Sequence, residues 1–261
     1  MSNTTADLRR KINSAGDLQS VVRTMKALAA SSIGQYERSV RAWGDYYRTL
    51  ELGVSVCFRG AGSAALVTGE TKRTDAGAVS AVVFGTDQGL VGQFNDVVAE
   101  YAVKTLAALP GKLEVWAVGE RVQARLADAG MPVMGLFTVP NSVKAITPLV
   151  GQILVESGTR HSQGEVTELH LFYNRPTSGA VYAPVSQRLL PLDENWRSKL
   201  AELRWPTGNL PEVMGGGTAT FRALISEYLF VSLFRACAES LASENASRLA
   251  AMQRADKNID E

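Results

Sequence analysis

The stretch CAESLASENASRLAAMQRADKNIDE, Cys237 to Glu261, decides how the rest of the chain is read. It is helical in character, yet its apolar stripe is narrow. Upstream, the 44 residues from Thr218 to Glu261 hold no glycine and no proline. One helix can therefore run through them, roughly 65 Å long at ~1.5 Å per residue. The stripe passes through Phe230, Phe234, Cys237, Leu241, Arg248, Met252, Ala255 and Ile259, while alanines such as Ala236, Ala242 and Ala250 occupy the other faces. A stripe this narrow is the mark of a coiled-coil seam rather than of a wide globular face. The competing reading is a core helix of a neighbouring domain, but the helix is long for a small sheet to cover. The seam is still in phase at Ala255 and Ile259 with no stop signal, so the helix is expected to continue past Glu261.

A coiled coil needs a second strand, and the other end of the chain supplies one. TTADLRRKI opens with a capping-box pattern from Thr4 to Asp7. A stripe then recurs in steps of three and four from Ala15 through Leu18, Val22, Met25, Ala29, Tyr36, Trp43 and Leu50 to Cys57. That periodicity predicts a second long helix over residues 1–57. Gly16, Gly34, Gly44 and Gly53 each weaken it by up to ~1 kcal/mol, so it requires a partner. The two terminal helices are expected to pair antiparallel, with an α/β domain at one end of the rod. Leu241 and Met252 are expected against the first half of the N-terminal helix, near Leu18, Val22 and Met25. Residues 1–60 carry nine Lys/Arg against five acids. That excess reads either as a solvated face or as a basic rod surface for an acidic partner.

Between the helices, residues 78–192 alternate strand and helix patterns. AVSAVVFGT (Ala78–Thr86), KLEVWAVG (Lys112–Gly119) and PVMGLFTV (Pro132–Val139) predict three strands. Helices are predicted near Asn95–Leu109, over ERVQARLADAG, and over SVKAITPLVGQILVESG with Pro148 inside. EVTELHLFYNRP and AVYAPVSQRLLPL predict two last strands around a turn at Pro176–Gly179. The order points to a Rossmann-like α/β domain with a parallel sheet and an antiparallel edge. Ser63–Gly77 and Trp205–Gly217 read as linkers. The fold class is thus α/β, a long antiparallel coiled coil of the terminal helices (1–57 and 218–261) with the α/β domain (78–192) inserted between them.

Several function classes are excluded or unsupported. A net charge of +1 argues against bulk nucleic-acid binding. Cys57 and Cys237 lie far apart and read as reduced thiols. No motif offers a metal site or needs a cofactor. No apolar run approaches the ~20 residues of a membrane span, and the N-terminus lacks a signal-peptide core. GTDQGLVGQFND (Gly85–Asp96) stands where a dinucleotide loop would, but Gly85, Gly89 and Gly92 are not spaced as GxGxxG and no P-loop lysine follows. It reads as a tight strand-to-helix turn, with Asn95 as a candidate cap. His161 and His170 sit in no catalytic pattern, and no direct nucleotide binding is expected. Two other readings stay open here: an α/β ligand-binding module with a coiled-coil tether, and an α/β enzyme with an unrecognised site.

The C-terminal stretch resembles the signature of the gamma subunit of F-type ATP synthases. The matching positions are Glu239, Ser240, Ser243, Glu244, Arg248, Ala251, Met252, Ala255 and Asn258. LRRKINSAGDLQSVVRTMKALAASS is similar to the family's N-terminal helix at Met25, Ala29, Ala30 and Ser31, and TDQGLVGQFN to its strand-to-helix turn. FYNRPTS and PVSQRLLPL are similar to its late strands. Val91 replaces the family's turn cysteine, Gln93 a glycine and Ser32 a lysine, so the chain resembles a divergent bacterial-like member. The resemblance implies a non-catalytic central-stalk rotor that couples transmembrane ion flow, of H⁺ or Na⁺, to ATP synthesis or hydrolysis. Implied partners are the alpha/beta catalytic hexamer, the epsilon subunit and the membrane c-ring. The implied location is peripheral, on the cytoplasmic face of the bacterial inner membrane. Candidate shaft and partner contacts are then Arg9, Arg10, Met25, Lys26, Glu244, Arg248 and Met252. Candidate seam positions are Leu18, Val22, Leu241, Ala255 and Ile259.

Overall fold

The computed structural model describes residues 5–60, 78–162, 166–178, 181–192, 194–209, 211–213 and 217–260. Thr4 of the expected capping box, the Ser63–Gly77 linker and Glu261 lie outside them. Two long helices frame the molecule, α1 (Thr5–Gly60) and α6 (Gly217–Asp260). Between them come β1 (Ala78–Phe84), α2 (Phe94–Leu106), β2 (Leu113–Val118), α3 (Glu120–Asp128) and β3 (Val133–Phe137). These are followed by α4 (Val143–Ser162), β4 (Val166–Arg175), β5 (Ala183–Leu190) and α5 (Glu194–Ala201). The sheet order is β3-β2-β1-β4-β5, parallel except for β5, which runs antiparallel to β4.

The central strand explains the layering. All seven residues of β1 are buried, as expected for a strand covered on both faces. Its side chains alternate between two cores. Val79, Ala81 and Val83 meet Val98, Ala102 and Leu106 of α2 and Val122 and Leu126 of α3. Val82 and Phe84 face the other way, toward Ile146, Val150 and Ile153 of α4 and Leu233, Ala236 and Leu241 of α6. Helix α4 passes through Pro148. Proline there forgoes a single backbone hydrogen bond, which burial of Ile146, Leu149 and Val150 offsets.

Helices α1 and α6 pair antiparallel. Gln19 donates to Asp260 at 2.6 Å, Lys26 pairs with Asp256, and Tyr47 donates to Tyr228 at 3.1 Å. Trp43 stacks against Phe230 and Phe234. The α1 stripe faces inward: Val22, Ala29, Tyr36, Leu50, Val54 and Cys57 are buried, and Met25, Val40 and Trp43 half-buried.

Three expectations change. Among the described residues the α/β domain packs along the middle of α6 and not at one end of the rod. From Val231 to Asn245 every residue of α6 except Arg235 is buried, because the sheet covers the middle of this helix on one side while α1 covers it on another. The seam and the core-helix readings of α6 therefore both hold. Leu241 joins Tyr36 and Val40, past the midpoint of α1, and not the Leu18–Met25 stretch. Finally, α5 falls just before the segment read as a linker. Trp196 and Leu200, one turn apart, pack with Val54, Cys57 and Phe221.

Candidate functional site

The β1–α2 turn is built for packing. Helix α2 starts after Gln93, and no side chain caps it. Asn95, expected as that cap, lies inside the first turn instead. Its Oδ1 accepts from the Thr86 N–H at 3.0 Å and its Nδ2 donates to Thr86 Oγ1 at 2.9 Å. Asp87 accepts from the backbone N–H groups of Glu120 and Val139, both at 3.0 Å, and so ties the ends of three strands together. A Cβ on Gly85 would lie 2.3 Å from Val122 Cβ. Gly119, at φ +112, would place one 2.7 Å from the Thr86 backbone. Side chains thus hold the turn and press against Gly85, while Gly89 has nothing within 4 Å and Gly92 meets only Ser247 Oγ, at 3.9 Å.

The shaft carries the other candidates. Val22, Leu241 and Met252 are buried in the seam, and Ala255 and Ile259 half-buried. Leu18 is 54 % exposed. Its neighbour Gln19 already reaches Asp260, the last described residue of α6, so no described turn of α6 covers Leu18. Arg9 and Arg10 are exposed near the start of α1 and Met25 is half-buried. Lys26 is engaged within the chain: its ammonium pairs with Asp256 and, through that hydrogen bond first, holds the Asp256 carboxyl below its ordinary pKa.

Glu244 and Arg248 are also engaged within the chain, at 2.6 Å, with side chains only 8 % and 12 % exposed. They line a cavity of about 200 Å³ with Ser32, Tyr36, Asp87 and Asn245, where the rod meets the strand ends. Burial pushes the Glu244 carboxyl up against the pull of Arg248, and Asp87 adds to the rise. Burial, then the Glu244 charge, pushes the Tyr36 hydroxyl up to about 12. The thiols of Cys57 and Cys237 are likewise raised by burial, which keeps them protonated and unreactive. Among the described residues no cluster of His, Cys, Asp or Glu could hold a metal ion, and no helix is long and apolar enough to cross a membrane. His170 hydrogen-bonds with Glu168 on β4 at 2.8 Å.

Sequence reasoning missed the polar junctions between rod and sheet. Ser247 donates to the Val91 carbonyl at 2.6 Å, and Glu239 binds two arginines at 2.8 Å each. Helical periodicity says nothing of such contacts. The one available signal was the run of small and polar residues Ala236, Ser240, Ser243 and Ser247, a second face that only a closely packed neighbour would favour.

Comparison with known proteins gives a consistent set. A family model described as ATP synthase matches residues 4–261. The chain is 28% identical over 261 residues to the ATP synthase gamma chain of Clavibacter sepedonicus, covering 96% of this chain and 85% of that one. It is 25% identical over 264 residues to the one from Pelotomaculum thermopropionicum, covering 98% and 87%. Among solved structures, a chain of the Euglena gracilis mitochondrial ATP synthase rotor superposes with a TM-score of 0.62 at 18% identity, covering 97% of this chain and 90% of that one. A chain of the central stalk and c-ring of the Tetrahymena thermophila mitochondrial enzyme gives 0.60 at 19%, covering 90% and 99%. At these identities the solved structures speak for the fold.

Proposed function

The chain belongs to the ATP synthase gamma family, and from that premise we propose that it takes the central-stalk rotor role, a non-catalytic shaft coupling transmembrane ion flow to ATP synthesis or hydrolysis. The observation that carries this reading is the paired α1–α6 rod with a sheet fastened to its middle. A rigid two-helix lever with a laterally attached domain suits transmission of torque. It offers no paired nucleophile and base among its described residues.

The division of labour follows the three parts: residues 1–57 and 218–261 form the shaft, and 78–192 the domain that reaches the rest of the rotor. The N-terminal half of α1 meets the alpha/beta catalytic hexamer. Its exposed Leu8, Ile12, Leu18, Val21 and Leu28, with the flanking Arg9 and Arg10, support this assignment. Met25, Lys26, Glu244, Arg248 and Met252 act differently from free contacts: half-buried, buried or paired, they hold the shaft in shape behind that surface. The α/β domain meets the epsilon subunit and the membrane c-ring. The chain itself is peripheral, at the cytoplasmic face of the bacterial inner membrane.

Reassembly tests the proposal. Complexes built with the chain should hydrolyse ATP and pump ions in proportion, whereas complexes without it should hydrolyse without pumping. Equal pumping with and without the chain would refute it. A saturable small ligand for the chain alone would favour a ligand-binding module instead.

A further inference from the structure

The surface that α6 turns toward the sheet is apolar, with alanines set between Leu233 and Leu241. Ala236, Ala238 and Ala242 meet Val82, Leu171 and Tyr173 there. Hydrophobic attraction is non-directional, so such a contact holds the two bodies together but resists sliding or turning weakly. Resistance has to come from directional bonds, and one buried anion makes them. Glu239, whose side chain is 6 % exposed, accepts from Arg175 Nε through one oxygen and from Arg235 Nε through the other, each at 2.8 Å. Arg175 closes β4, and its guanidinium also donates to the Tyr173 hydroxyl on the same strand. Arg235 lies one turn back on α6, 6.0 Å from the centroid of the Tyr47 ring on α1. The Glu239 carboxylate thus joins α6 to the sheet, and its α6 partner Arg235 faces the Tyr47 ring of α1. The Arg175 bond crosses from the sheet to α6, while the Arg235 bond lies within α6 and holds the carboxylate in place for it; a charge-assisted bond so placed fixes register as well as adding attraction.

Resting on the rotor reading, we propose that Glu239 is a positioning residue that pins the sheet to the shaft and carries torque across their otherwise apolar contact. Rotation of the shaft against a loaded α/β domain shears the α6–sheet surface, and the Glu239–Arg175 bond is the charge-assisted link lying across that shear. Ser247, bonded to the Val91 carbonyl, adds a neutral second link one helical stretch away.

The test uses assembled ATP synthase carrying Glu239→Gln, which keeps the shape and removes the charge, with ATP hydrolysis and ion pumping read on the same vesicles. Hydrolysis should stay near that of the unmodified complex, while ions pumped per ATP fall about threefold or more, as for residues that carry coupling between distant sites. Arg175→Gln should give the same fall, and the double variant no further one, because both remove the same bond. A residue needed only for folding would lower assembly and hydrolysis and leave pumping per ATP unchanged. Should Glu239→Gln fail to assemble, Arg175→Gln decides alone: Arg175 is 42 % exposed, and without it Glu239 keeps Arg235. Unchanged pumping per ATP in the variants overturns the pin. If complexes lacking the chain altogether also pump normally, the rotor reading fails instead.

Discussion

Leu18 and Leu241 are the same residue type at the same phase of the same proposed seam, and the structure separates them. Leu241 is 4 % exposed and Leu18 54 %. Truncating Leu241 to alanine removes three carbons from a cluster shared by Tyr36, Val40 and the sheet. At ~0.8 kcal/mol per buried CH₂ the transfer loss alone is about 2.4 kcal/mol. The cavity left between three bodies adds to this, for a total of about 3 kcal/mol, inside the usual range of ~2–5 for buried leucines. With a urea slope of ~3 kcal/mol/M, reasonable for a chain of this length, the unfolding midpoint drops by about 1 M. Leu18→Ala should move it by under ~0.2 M, since exposed substitutions usually stay within ~0.5 kcal/mol. Urea titration of the full chain, followed by far-UV circular dichroism, measures both. Equal shifts, or a Leu241→Ala shift as small as that of Leu18→Ala, would refute the packing argument.

Other outcomes follow from single features. Gly119→Ala should destabilise by about 2–4 kcal/mol, because φ is +112 and the new methyl would meet the Thr86 backbone at 2.7 Å; Gly151→Ala, in α4 with open space around it, should instead raise the thermal midpoint. Asp256 has a lowered folded-state pKa, so its contribution is fully present above its ordinary pKa and is lost as the pH falls through the lowered value. Asp256→Asn should therefore flatten that acid limb, as read from unfolding midpoints between neutral and about pH 3. Calorimetry of the chain with ATP, ADP and NAD should show no saturable heat, since the Gly85–Asp96 turn is braced by Asn95 and Asp87 side chains; micromolar binding would contradict that reading.

Much of the architecture is local in origin, and the residues alone determined it. The steps of three and four from Ala15 to Cys57 are a property of one helix, as is the glycine- and proline-free run from Thr218. The continuous apolar run of β1 requires cover on both faces, and glycine spacing in the Gly85–Asp96 turn argues against a nucleotide loop. What only the tertiary structure decided concerns relations between segments far apart in the chain. Periodicity identified the seam face of α6 but was silent about its alanine and serine face, since small side chains carry little hydrophobic signal until a sheet packs against them. The same limit hid α5, whose eight residues gain stability from Val54, Cys57 and Phe221 rather than from their own pattern. It hid the exposure of Leu18 too, because phase along one helix does not say where its partner is covering it. Asp87 and Glu239 are decided only by the fold: each is polar, each is held by a bond from an element distant in sequence, and no one-dimensional pattern encodes a directional bond whose partner is set by the fold.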